Sequence, residues 1–186
     1  MKRVIDFSIS LCALFVLLIP LLLIAVGIKL TSKGTVFYWS NRVGKNNEIF
    51  KMPKFRTMRI DAPAVATHLL EDPDQYVTGI GRILRKFSLD ELPQLISIVK
   101  GDMSLVGPRP ALFNQDDLIE QRTRKGIHRL TPGLTGWAQI NGRDKLPVPE
   151  KVAYDNYYLL HQSISLDMKI ILRTALKVIF CEGVTH

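Results

Sequence analysis

Two carboxylates stand side by side in "RKFSLDELPQL": Asp90 and Glu91, with Pro93 two residues on. A carboxylate kept ionised in the first turn of a helix is stabilised there by backbone N–H groups and the helix dipole. It can attack an electrophile, and a phosphoryl group can dock beside it. Neighbouring helical residues point about 100° apart. Asp90 and Glu91 therefore divide the work, one as nucleophile and the other as metal ligand. The structural alternative is a helix start. Ser88 and Glu91 have capping-box spacing, with Phe87 and Leu92 placed as a hydrophobic staple. Pro93, best tolerated at the very start of a helix, also allows the helix to begin at Asp90.

Cations follow at useful places. In "GDMSLVGPRPAL" two prolines stiffen the backbone around Arg109 and aim a guanidinium whose fork suits phosphate. A surface polyproline turn is the alternative. In "RLTPGLTGWAQINGRD" the Pro132-Gly133 and Asn141-Gly142 turns flank a short apolar segment, and Arg143 follows the second turn. Such a loop can hold a phosphate, although the pattern G-x-x-x-x-G-K-[ST] is absent. Lys54 and Arg56 alternate with Phe55 and so share one strand face. Asp72-Pro73-Asp74 matches the D-x-D pattern of many metal-dependent glycosyltransferases, yet "EDPDQY" also reads as a turn. The four histidines are scattered, with no zinc spacing.

The elements that must carry these groups are short. Leu89, Leu92, Ile96 and Val99 mark one apolar face of a helix ending at Gly101. "TVFYWSNRVGKNNEIFKMPKFRTM" reads as a β-hairpin turning at Gly44-Lys45-Asn46-Asn47. The tail "SLDMKIILRTALKVIF" is an apolar helix with Lys169, Arg173 and Lys177 along one stripe, which suits an anionic lipid surface. Tyr154, Tyr157 and Tyr158 upstream are read as packing aromatics.

Ahead of all this, twenty-two residues from Phe7 to Ile28 carry no charge, enough to span a bilayer. Lys2 and Arg3 precede the run, and Lys29 and Lys33 follow it. The positive-inside rule draws both flanks to the cytoplasm. A helix broken near Pro20 that enters and leaves by one face satisfies both, with Ser8 or Ser10 placed to re-satisfy freed backbone groups. A single crossing helix satisfies only one, but spanning helices tolerate a proline, so the residues leave both readings open; a signal peptide fits the length of the run poorly. The chain has 186 residues, 25 basic and 17 acidic, and a net charge of +8. That balance points to an anionic partner, a phosphorylated substrate or lipid surface; no nucleic-acid reader motif is present. Cys12 and Cys181 frame no disulfide or metal pattern.

"KFRTM", "RKFSLDELPQL", "GDMSLVGPRP" and "LTPGLTGWAQINGR" occur in that order. Together they resemble the small, single-domain bacterial sugar transferases known as monotopic phosphoglycosyl transferases, over nearly the whole chain. The resemblance implies an α+β, mainly helical fold: a re-entrant membrane helix over 1–30, then a catalytic domain over 31–186 with a small β-hairpin region and amphipathic interfacial helices. It implies a place on the cytoplasmic face of the inner membrane, with the membrane break at Pro20. The chain has Ile19-Pro20 where the family often has Ser-Pro.

The implied reaction transfers a phospho-sugar from a UDP-sugar to polyprenyl phosphate. It releases UMP, requires Mg2+, and is the first committed step in building a glycan. Asp90 would be the nucleophile and Glu91 the magnesium ligand. Arg109 would hold phosphate or the lipid phosphate. Lys54 and Arg85 would be further active-site cations, and Arg143 a contact to the nucleotide phosphates. Two rivals are a glycosyltransferase built on Asp72 and Asp74, and a noncatalytic membrane scaffold.

Overall fold

The structure, a computed structural model, describes residues 1–62, 73–142 and 146–179. Arg143, Asp72 and Cys181 lie outside the described residues, and so do His68 and His186. The apolar N-terminus forms two helices, α1 (Lys2–Val16) and α2 (Leu18–Thr31), bent by 62° at Leu17. Pro20 is the cause, although the bend lies three residues before it. Proline has no N–H, and its ring clashes with the carbonyl four residues back, here that of Val16. So α1 stops at Val16, and Pro20 falls in the first turn of α2, where its missing donor costs nothing. Leu17 N–H still donates to Ala13 O at 2.9 Å, and Leu21 N–H to Leu17 O at 2.8 Å. The two serines play no part in this: Ser8 is exposed, and the buried Ser10 hydroxyl has no hydrogen-bond partner.

Among the described residues no single helix is long and apolar enough to cross a membrane. The bent pair passes that test jointly. Phe15, Val16, Leu18, Ile19, Leu22 and Leu23 around the bend are all exposed.

Both ends of the pair are tied down by polar contacts. Lys2 Nζ meets Asp167 at 2.5 Å, and buried Asp6 accepts from Ser104 Oγ at 2.7 Å. Arg3 donates to the carbonyls of Ile98 and Val99, the latter at 2.8 Å. These are terminal carbonyls of α4 (Gln94–Lys100), where a cation also suits the helix dipole. At the other end Arg56 donates to Ser32 Oγ at 2.9 Å, just past α2. Ile28 of α2 is fully buried with Phe55 and Leu84.

The hairpin forms as read. Strand β1 (Phe37–Val43) pairs antiparallel with β2 (Ile49–Phe55), with Tyr38 opposite Lys54. Asn46 and Asn47 take left-handed conformations in the turn, which asparagine tolerates well. A second sheet pairs β3 (Ser104–Val106) in parallel with β4 (Gly133–Thr135). It brings two motifs together backbone to backbone. A Cβ on Gly133 would lie 2.1 Å from Gly107 N, and one on Gly136 would lie 2.1 Å from Gly107 O, so neither site admits a side chain.

Helices α5 (Asp116–Arg124), α6 (Trp137–Ile140), α7 (Val148–His161) and α8 (Ile164–Ile179) complete the body. Tyr158 is buried and donates to Asp167 Oδ1 at 2.6 Å; burial and this bond push its hydroxyl pKa well above the ordinary value. Tyr157 differs from that pattern, lying partly exposed and stacked on Trp137. Along α8, Ile164, Met168, Leu172 and Leu176 form an exposed apolar row. Of the neighbouring basic stripe, Lys177 donates to Ile140 O at 2.7 Å and Lys169 lies over the Trp137 ring, so two of its three cations fold back onto α6.

Candidate active site

The dyad lies between helices rather than at the start of one. Helix α3 (Gly79–Lys86) ends at Phe87. Ser88 takes a left-handed φ of 54°, and Leu89–Glu91 make one 3-10 turn. Only after Pro93 does α4 begin. The capping box is therefore absent: the Ser88 side chain caps nothing, and the Glu91 carboxylate points to cations instead. In a 3-10 turn successive residues lie about 120° apart, so the two carboxylates still diverge.

Glu91 Oε1 accepts from Lys54 Nζ at 2.7 Å and from Arg109 Nη2 at 3.2 Å. The pair with Lys54 is well enclosed, with side-chain exposures of 15% and 13%. Lys54 comes from β2, Glu91 from the 3-10 turn, and Arg109 from the segment after β3. Arg85, on the last turn of α3, donates Nε to Thr57 Oγ1 at 3.0 Å. Its charge and that of Lys54 both act on Asp90.

Asp90 carries the site's main electrostatic feature. Burial raises its pKa above the ordinary aspartate value; Lys54 pulls it down, Glu91 pushes it up, and Arg85 pulls it down. Burial wins over the cations and over the local backbone hydrogen bond. This reverses the expectation of an anion stabilised by a helix start, because the turn is only three residues long and the half-buried carboxyl loses part of its hydration.

The structure thus gathers Lys54, Arg85, Asp90, Glu91 and Arg109 in one place. Pro20 acts elsewhere, in the helix pair. For Asp74 only the backbone is described, in a 3-10 turn over Pro73–Tyr76.

Sequence reasoning missed three residues beneath Arg109. Arg42 Nη1 donates to Pro110 O at 3.2 Å, and Arg122 Nη1 donates to Arg109 O at 2.8 Å. Asp155 Oδ2 accepts from Arg122 Nε at 3.0 Å and from Nη2 at 2.6 Å. A signal for Asp155 did exist. It falls between Val152 and Leu159 at helical spacing, a charge on an apolar face.

Among the described residues no group of three or more His, Cys, Asp or Glu side chains is placed to form a metal cage. The hard carboxylate oxygens of Glu91 do suit Mg2+. That ion keeps much of its water and takes one or two carboxylates together with substrate phosphates.

Residues 1–181 match the family model described as "Bacterial sugar transferase". The chain is 37% identical over 199 residues to the exopolysaccharide production protein ExoY of Sinorhizobium fredii, covering 98% of this chain and 87% of that protein. It is 40% identical over 193 residues to an undecaprenyl-phosphate glucose phosphotransferase of Komagataeibacter xylinus, covering 98% of this chain and 36% of that longer protein. It is 37% identical over 185 residues to the UDP-glucose:undecaprenyl-phosphate glucose-1-phosphate transferase of Escherichia coli, covering 95% of this chain and 40% of the relative. A match of such extent runs through the dyad and both glycine-bearing loops, and it makes this chain a member of the bacterial sugar transferase family.

Proposed function

We propose that this enzyme transfers a phospho-sugar from a UDP-sugar to polyprenyl phosphate, releasing UMP and starting a glycan on its lipid carrier. The observation that carries the reading is the dyad itself: a half-buried Asp90 under the charges of Lys54 and Arg85, next to a Glu91 held by Lys54 and Arg109. The relatives' named activities agree with it.

In the first step an Asp90 carboxylate oxygen attacks the sugar-bearing phosphorus of the donor. The bond from that phosphorus to the bridging oxygen breaks, and UMP leaves with the electron pair. In the second step an oxygen of polyprenyl phosphate attacks the same phosphorus and expels the Asp90 carboxylate. Attacking and leaving groups are oxyanions throughout, so no general base is required. Two displacements let a water-soluble donor and a lipid acceptor use one site in turn.

The cations have a defined task. An anionic nucleophile meets an anionic diphosphate, and the repulsion must be offset by positive groups fixed in advance. Lys54 and Arg85 act on Asp90, and Arg109, which donates to Glu91, is proposed to take a phosphate oxygen. Arg143 is proposed to contact the nucleotide phosphates. Mg2+ would be held by Glu91 together with substrate phosphates, and when bound it would neutralise charge on the diphosphate.

The released nucleotide tests the reaction class. With a panel of UDP-sugars and polyprenyl phosphate, the expected product is UMP, with turnover lost on adding EDTA and restored by Mg2+. Release of UDP instead would mean ordinary glycosyl transfer. A phospho-sugar adduct on Asp90, trapped before the acceptor is added, is expected by mass spectrometry.

The helix pair is proposed to dip into the cytoplasmic leaflet and return, with 1–30 as the membrane unit and 31–186 as the catalytic unit. Its exposed bend and the apolar row on α8 support that arrangement. A cysteine introduced at Lys33, in a background lacking both Cys12 and Cys181, should react with an impermeant maleimide only in inverted vesicles. Reaction in right-side-out cells would refute re-entry.

A further inference from the structure

We infer that Arg122, paired with Asp155, is a positioning residue that sets the reach of Arg109 into the site by holding its backbone; the functional part of this inference rests on the proposed phospho-sugar transfer. The Pro108–Ala111 segment is fastened at four consecutive carbonyls. Gly133 N–H donates to Pro108 O at 2.9 Å, and Arg122 Nη1 to Arg109 O at 2.8 Å. Arg42 Nη1 donates to Pro110 O at 3.2 Å, and Val43 N–H to Ala111 O at 2.9 Å. The donors come from β4, α5 and β1, so three separate elements grip one strap.

The proline on either side of Arg109 supplies no N–H, which leaves this strap dependent on its carbonyls for fixation. Three of the four clamps come from β-strand residues. The clamp on Arg109 itself is a side chain buried in the body, and its aim has to be set by something else. Asp155 does this. It lies on α7, about 1% exposed, and one of its oxygens accepts from two nitrogens of Arg122, leaving Nη1 directed at the Arg109 carbonyl. Arginine is required by this geometry. Its planar fork can serve two acceptors at fixed angles, whereas a lysine ammonium could neutralise Asp155 without being aimed at the carbonyl. Burial raises the Asp155 pKa even against Arg122, so the pair is expensive to keep. A buried pair is weak support for stability, and fixing geometry is the better use for it.

The test compares Arg122→Lys with the wild type. Arg122→Lys is expected to melt near the wild-type temperature and to lose kcat by about 10²-fold, the scale of a small misplacement at a reacting centre. The KM for the UDP-sugar should change far less. Amide exchange at Val43 and Gly133, which bond the same strap, should accelerate, while amides of α1 stay protected. In an Arg109→Met background the Arg122→Lys change should cost almost nothing further. A second variant, Arg122→Gln combined with Asp155→Asn, removes both charges together and leaves no unpaired buried ion. It should show the same kcat loss if Arg122→Lys fails to fold.

Wild-type kcat and exchange in these variants would overturn the inference. So would an undiminished loss in the Arg109→Met background, which would mark a purely structural role. If the wild type itself transfers no phospho-sugar from any donor, the reaction proposal fails. The exchange measurement then decides separately whether Arg122 holds the strap.

Discussion

Replacing Asp90 with asparagine should abolish transfer, by about 10³-fold or more as for other covalent nucleophiles, while leaving the metal-free protein more stable at neutral pH. The first half follows from the chemistry, since asparagine cannot form the acyl-phosphate bond. The second follows from burial. Asp90 has a higher pKa in the folded protein than an ordinary aspartate, so ionised Asp90 opposes folding. Above the folded pKa that penalty is present in full, and it declines as pH falls toward the unfolded value of about 3.9. The neutral amide of the Asp90→Asn variant removes the penalty. Thermal melts of wild type and variant with EDTA should therefore differ at neutral pH and converge once the pH drops below the unfolded value. A variant less stable at neutral pH would show that the ionised carboxylate is stabilising after all, and full retained activity would sink the nucleophile assignment.

Lys54→Met should be the next most damaging change, at about 10²-fold or more in kcat/KM, the scale of one lost preorganised charge. Lys54 serves two carboxylates at once. It donates to Glu91, and its charge lowers the Asp90 pKa against burial. Without it the Asp90 pKa rises further, and a larger share of the enzyme is protonated at any given pH. The acid limb of the pH–kcat/KM profile should therefore move to higher pH. Arg109 remains beside Glu91, so Glu91 keeps a cationic neighbour and the fold should survive. A variant with an unmoved acid limb would mean that Lys54 does not tune Asp90.

Much of this was legible in the residues because it depends on local pattern. The hairpin, the helix stop at Gly101 and the aromatic packing of Tyr158 each follow from spacing along a few turns or strands, whereas the face read from Leu89, Leu92, Ile96 and Val99 is not the one buried: α4 starts only at Gln94, Leu95 and Ile98 enter the core, and Ile96 is exposed. The motif order was equally legible, since each motif is contiguous. Local rules went wrong where a local and a distant partner compete for one group. Ser88 and Glu91 have the spacing of a cap, yet Lys54 and Arg109 are stronger partners for a carboxylate than a backbone N–H, and the helix begins later. Likewise the bend falls at Leu17 because Pro20 acts on the carbonyl of Val16.

The sequence alone was enough to single out Asp90, Glu91 and Arg109, and to offer a break near Pro20 as one of two readings of the greasy N-terminus. Residue type and short-range spacing carry that information. Only the tertiary structure decided that Asp90 is half-buried among Lys54, Glu91 and Arg85, that one Glu91 oxygen joins Lys54 to Arg109, and that Arg122 and Asp155 brace the strap beneath them. These are long-range facts. Residues 54, 91, 109, 122 and 155 meet through a hairpin, a parallel pair of short strands and three helices, and burial exists only once those elements have packed.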